Sequence, residues 1–95
     1  MPILALFRWQ GDPDCLVGAY DREMMDPPAV TLDQPRRNLH LFARGGNGAV
    51  VVDLWESEDD FRRMFDDPDF KRNVASSDWP SEPEVEIYQV HANMP

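Results

Sequence analysis

The sequence predicts an α+β fold: a ferredoxin-like β-α-β-β-α-β chain whose four strands form one antiparallel sheet, with the helices on one face. Three observations carry this reading. Apolar or alternating runs recur at ILALFRW, NLHLFA, AVVVDLW and VEIYQVH, as strands require. Two intervening stretches repeat apolar residues at helical spacing, one opened by an Asp-Pro pair and the other by a serine. The glycine-rich GGNG joins the middle two strands so tightly that they must form a hairpin. With 95 residues, the chain is expected to be a single domain spanning 1–95.

ILALFRW carries apolar and aromatic side chains on both faces, which suits a central strand. In GDPD, Asp12 can accept from the first helical amides, and Pro13 fits the first helical position, where no donor is needed. Leu16, Ala19, Tyr20 and Met24 then form one inward stripe, weakened at Gly18 by about 1 kcal/mol relative to alanine. DPPAVTLDQP ends the helix with prolines and reads as a connecting loop. In the hairpin, Gly46 and Asn47 form the bend, so facing residue numbers share one sum. His40 then faces Asp53, Phe42 faces Val51, and Asn38 faces Trp55.

Ser57 caps the second helical region, with Asp60 three residues on in a near capping-box arrangement. Phe61, Met64 and Phe65 make its stripe, and Glu58–Arg62 and Asp59–Arg63 lie one turn apart with the acid first. Asp67 opens a further helical segment that buries Phe70 and Val74. ASSDWPSEP is a loop, and VEIYQVH alternates as the last strand.

The charge balance is acidic, with a net charge of -9. It opposes nucleic acid, which needs a basic surface, and equally opposes an anionic membrane. Cys15 is the single cysteine, so an intrachain disulfide and a cysteine-based zinc site are both excluded. Its apolar helical neighbours suggest a buried, inert thiol. Asp66, Asp67 and Asp69 lack the alternating acids and central glycine of a calcium loop, so no metal is expected. No apolar run approaches the roughly 20 residues that span a bilayer, and the first one is too short for a secretory signal. The expectation is a soluble, cytoplasmic protein. Phosphate-cradling loops, nucleophile elbows and dinucleotide fingerprints are absent from the sequence.

Alternation splits the hairpin into two unlike faces. Leu39, Leu41, Ala43, Val50, Val52 and Leu54 share one, which is expected to meet the helices. Asn38, His40, Phe42, Arg44, Val51, Asp53 and Trp55 share the other. That mixture is too apolar for plain solvent and too polar for a dry core. Uncovered, it would be a sticky patch, so a second copy is expected to press against it. A cavity between the two sheets would then hold polar groups on apolar walls.

The plan, together with VVVDLWESEDDFRRMFDDPDFKR, resembles the dimeric α/β-barrel superfamily and, within it, the antibiotic-biosynthesis-monooxygenase-like domains. The matching residues are Asp53, Leu54, Trp55, Ser57, Pro68 and Phe70. The resemblance implies two subunits pairing sheet to sheet as a dimeric barrel, with a pocket inside each half that Trp55 lines. It also implies a range of activities: cofactor-independent oxygenation of quinol-type aromatics, heme degradation, or polyketide cyclisation. Many monooxygenase-like and heme-degrading members carry a histidine where this chain has Met64, so heme ligation by that route is not implied.

His40 and Asp53 are the candidate catalytic pair. Facing cross-strand residues lie about 4.5–5.5 Å apart at Cβ, so the carboxylate can orient the imidazole as a base for a phenol or an activated C–H. The bland alternative is an ion pair that satisfies two polar groups at an interface. Trp55 and Phe42 are candidate ligand walls, with Trp55 otherwise dimer core. Asn38, Arg44, Tyr20 and His91 complete the candidate ligand-binding set. For Tyr20 the alternative is packing with its hydroxyl at the rim; for Arg44 it is solvent, and for His91 it is solvent or the dimer edge. Phe7 and Trp9 read as core. The function expected is a cofactor-independent small-molecule enzyme, monooxygenase-like or cyclase-like, acting on an aromatic or polyketide-type compound. The rival is a non-catalytic binding or structural homodimer.

Overall fold

The computed structural model describes residues 1–25, 37–76 and 78–92, so the expected loop DPPAVTLDQP lies outside the described residues. Its elements are β1 (Ile3–Gln10), α1 (Pro13–Met25), β2 (Arg37–Arg44), β3 (Gly48–Trp55), α2 (Glu58–Phe65), α3 (Pro68–Ser76) and β4 (Glu84–Gln89). The strands form one antiparallel sheet in the order β2-β3-β1-β4, which is the ferredoxin-like arrangement. The second helical region is two helices because Pro68 has no amide with which to continue α2. Asp67 restarts the chain by accepting the Asp69 amide at 2.8 Å.

Gly45 N–H donates to the Gly48 carbonyl at 2.8 Å and closes the β2–β3 turn over Gly46 and Asn47. The register follows: Phe42 faces Val51 and His40 faces Asp53. A bulge then breaks the pattern. Arg37 faces Trp55 and Leu39 faces Leu54, leaving Asn38 as the extra, exposed residue. Asn38 therefore does not face Trp55, contrary to the constant-sum expectation. At the start of β3, a Cβ on Gly48 would run into the Trp9 carbonyl, so glycine alone permits that approach.

The helices cover the opposite face of the sheet from the one expected. Ile3, Ala5, Phe7 and Trp9 of β1 lie beside Trp55, Asp53, Val51 and Ala49 of β3, and all eight are buried. The reason is the volume that the helices bring. Phe61 and Phe65 each lie 6.1 Å from Phe7 between ring centroids, and Trp55 meets Phe61 edge-on at 6.0 Å. Rings pack against rings here, and this aromatic cluster is the core. Leu4, Leu6, Leu39, Leu41, Val50, Val52 and Leu54 project from the other face, where Leu41 is 52 % exposed.

On α1, Leu16 and Ala19 are fully buried, and the stripe continues through Tyr20 to Glu23 rather than to Met24, which is largely exposed. Both positions lie two turns from Leu16, and the acid turns inward because Trp79 offers it a donor. Cys15 sits off this stripe and is exposed, not buried. Its Sγ reaches Asp12 Oδ2 at 3.6 Å, and the Asp12 charge holds the thiol above its ordinary pKa, so little thiolate forms. Asp12 also accepts the Asp14 amide at 2.9 Å. Ser57 caps α2 by accepting the Asp60 amide at 3.1 Å, while its hydroxyl donates to the Asp60 carboxylate at 3.0 Å. Glu58 pairs with Arg62 at 3.5 Å, and Arg63 reaches Asp60 at 3.6 Å instead of Asp59.

Candidate functional site

Between the helix layer and the sheet lies a cavity of about 660 Å³, within the range of small-molecule sites. Its floor is Phe7, Trp9, Val51 and Asp53 from the sheet, with Met64, Phe65 and Phe70 from α2 and α3 as further walls. The helices stop short of β4, so Val85 on the inner face is 41 % exposed. With exposed Lys71, Ser81 and Glu82, it marks the mouth.

Three polar side chains in this cavity form one hydrogen-bonded chain. Asp53 is 2 % exposed, and its β1 neighbour is the fully buried Ala5, which leaves lateral room for the carboxylate. Asp53 Oδ1 lies 2.6 Å from His40 Nδ1. His40 Nε2 lies 2.7 Å from the Tyr20 hydroxyl. A carboxylate only accepts, so Nδ1–H donates to Asp53, and the free lone pair on Nε2 takes the Tyr20 proton. Helix α1 aims Tyr20 because its ring stacks on Phe42 at 4.3 Å between centroids. The arrangement can draw the hydroxyl proton toward the imidazole, so the tyrosine oxygen becomes a base at the cavity wall.

A second polar group enters one turn along α1. Glu23 is 9 % exposed and lines the same cavity. Trp79 Nε1 donates to its Oε1 at 3.4 Å. Burial raises the Glu23 pKa above its ordinary value, while the Trp79 hydrogen bond pulls it back in part. The Trp79 ring stacks on Trp9 at 4.5 Å between centroids, so the loop before β4 folds onto the cavity. Trp9 Nε1 is itself buried without an acceptor among the described residues, a donor that a bound molecule could satisfy.

The structure therefore gathers His40, Asp53 and Tyr20 and leaves the other candidates outside the cavity. Trp55 is 1 % exposed in the core against Phe61, because the helices cover the face it occupies. Phe42 backs Tyr20 from behind and meets Trp79 edge-on at 6.4 Å. Asn38 is the exposed bulge residue. Arg44 is exposed and pairs with Asp14 at 2.8 Å. His91 is exposed beyond the end of β4. Sequence reasoning missed Glu23 and Trp79. Glu23 lies three residues after Tyr20 and seven after Leu16, inside the stripe, and that spacing was the available signal. Trp79 had only a tryptophan in a turn-rich loop to announce it.

No protein-family model matches the chain, and no curated sequence does. Solved structures do. The chain is similar to Rv0793 of Mycobacterium tuberculosis, at 13% identity over 100% of each chain with a TM-score of 0.72. It is similar to SnoaB, a cofactor-independent oxygenase of Streptomyces nogalater, at 21% identity over 99% of this chain and 95% of that one, with a TM-score of 0.66. An antibiotic-biosynthesis-monooxygenase-like protein of Chloroflexus aurantiacus aligns at 10% identity over 100% of this chain and 98% of its own, also with a TM-score of 0.66. At these identities the likeness is one of fold. The chain has the ferredoxin-like fold of the antibiotic-biosynthesis-monooxygenase-like proteins.

Proposed function

We propose that the protein is a small-molecule enzyme, monooxygenase-like or cyclase-like, that removes a proton from an aromatic or polyketide-type compound held in the cavity. The Asp53–His40–Tyr20 chain inside a cavity open enough for a ligand carries this reading. The Tyr20 oxygen takes a proton from a phenol or an activated C–H as its own proton passes to His40 Nε2, and Asp53 holds the resulting imidazolium. The anion left behind closes a ring onto a carbonyl or gives its electrons to dioxygen. In the oxygenation, a methylene and O2 become a carbonyl and water, which needs no resident cofactor. The aromatic lining of Phe7, Trp9, Phe65 and Trp79 suits a flat ligand. SnoaB, which shares the fold, is a cofactor-independent oxygenase and supports the same reading.

In this proposal the functional unit is a homodimer. A second copy covers the leucine and valine face of the sheet, and the cavity belongs to each subunit separately. The test is turnover and oxygen uptake with a panel of phenols, quinols and aromatic ketones. Tyr20→Phe and His40→Gln are expected to lower the rate by about 10²–10⁴-fold with the fold intact. If no compound binds and His40→Gln changes only stability, the protein is a structural homodimer instead.

A further inference from the structure

We propose that Glu23 is a second acid–base residue of the cavity: its carboxylic acid gives a proton to the carbonyl oxygen of a bound ketone while the Tyr20–His40–Asp53 chain removes a proton from the neighbouring carbon. This rests on the reading of that chain as a base. The geometry is specific. Tyr20 and Glu23 are three residues apart on α1, so their side chains leave one face of one helix and enter one cavity. Glu23 is 9 % exposed among rings, and its partner among the described residues is a single indole donor at 3.4 Å. A carboxylate so placed is poorly satisfied, whereas a carboxylic acid can accept from Trp79 and still donate to a ligand. The charged and titratable groups that share the cavity are Tyr20 on the same helix, His40 on β2, Asp53 on β3, Lys71 on α3, and Asp78 and Glu82 on the loop before β4. Asp53 is engaged by His40, and Lys71 and Glu82 are exposed at the mouth.

The step balances without an oxidant. The C–H bond breaks, and its proton goes to the Tyr20 oxygen as the tyrosine proton moves to His40 Nε2. The C–H electron pair becomes the C=C bond, and the carbonyl π pair takes the Glu23 proton to form the enol O–H. Glu23 is left as carboxylate and His40 as imidazolium facing Asp53. While the enol is bound the Tyr20 and His40 protons exchange with solvent, so the reverse step restores both residues and returns a solvent proton to carbon. Two titratable groups in unlike settings thus take opposite roles, as acid–base pairs in enzymes do. The ligand class that follows is an enolisable ketone whose acidic methylene adjoins an aromatic ring.

The probe is 2-tetralone in D2O, with loss of its acidic methylene signal followed by proton NMR. The whole protein is expected to accelerate exchange, with a rate that falls as pH rises through the Glu23 titration. Glu23→Gln is expected to slow exchange by at least tenfold and to abolish that fall, while Tyr20→Phe slows exchange across the whole pH range. In parallel, infrared difference spectra between the natural protein and Glu23→Gln are expected to show a carboxylic-acid carbonyl band that persists at pH 5, above the ordinary value of 4.5. If Tyr20→Phe slows exchange but Glu23→Gln does not, Glu23 has no part in the step and the base reading survives. If the natural protein gives no acceleration, or Tyr20→Phe equals it, the base reading fails and takes this proposal with it. Absence of the carboxylic-acid band at pH 5 overturns the role of Glu23 directly.

Discussion

The two faces of the sheet share the same strands and the same pairing, yet they differ in composition and in cover. The inner face alternates rings with polar groups: Phe7, Trp9 and Trp55 beside Asp53 and His40. The outer face is aliphatic across β2 and β3, with Leu4 beside Leu54, Leu6 beside Val52, and Leu41 beside Val52 from the other side. It turns polar toward β4, where Arg8 pairs with Glu86 at 3.4 Å and Tyr88 lies beside Leu4. Helices cover the ring-rich face, whereas the leucine and valine face is bare among the described residues. Apolar content therefore does not tell which face a domain covers with its own helices. The inner face, in the proposed reading, lines a ligand site, which calls for apolar walls with a few polar groups at set points. The outer face, in the proposed homodimer, needs self-complementary shape, to which its leucines and valines contribute.

The sharpest way to break the comparison is to remove a large side chain from the inner face away from the cavity. Trp55→Ala is expected to cost about 3–5 kcal/mol in urea unfolding, as deletion of a fully buried ring does. Ligand affinity per folded molecule is expected to stay unchanged. A variant that keeps its stability and loses its ligand would restore Trp55 as a wall. On the outer face, Leu41→Asp leaves the monomer intact because this side chain is already half exposed. In the proposed dimer the variant buries one charge from each copy in the interface, and about 100-fold weaker association, near 3 kcal/mol, is expected by sedimentation. A natural protein that sediments as one subunit at micromolar concentration would show that the leucine face has another purpose.

Much of this was legible beforehand. The hairpin register followed from GGNG, and with it came the His40–Asp53 pairing, because two-residue turns fix cross-strand neighbours by arithmetic. Element order followed from periodicity and from the Asp-Pro and Ser caps. The bulge at Asn38 was invisible, since one inserted residue leaves no mark in an alternating pattern, and it removed the expected Asn38–Trp55 pair. The choice of face was also invisible. It depends on rings from Phe61 and Phe65 filling space across the layer, a property of volume that a strand's own alternation does not encode. Tyr20 looked like rim packing because helix periodicity reports which way a residue faces and not what it meets.

The smallest expected effect tests the inner face from within. Burial raises the Glu23 pKa from its ordinary value of 4.5, so the folded state holds this proton more tightly than the unfolded chain. Stability from that source is complete below the ordinary value and is lost as pH rises through the raised one. Glu23→Gln keeps an acceptor for the Trp79 indole and never ionises. Its stability is therefore expected to match the natural protein near pH 4 and to exceed it at pH 8 by about 1 kcal/mol, the cost of one poorly matched buried polar group. In a domain of this size that is a rise in Tm of roughly 4–8 °C, read by thermal unfolding at the two pH values. A difference that stays constant with pH would mean that Glu23 keeps its ordinary titration. The inner face would then be polar only along the Asp53–His40–Tyr20 line, and the contrast between the two faces would rest on those three residues alone.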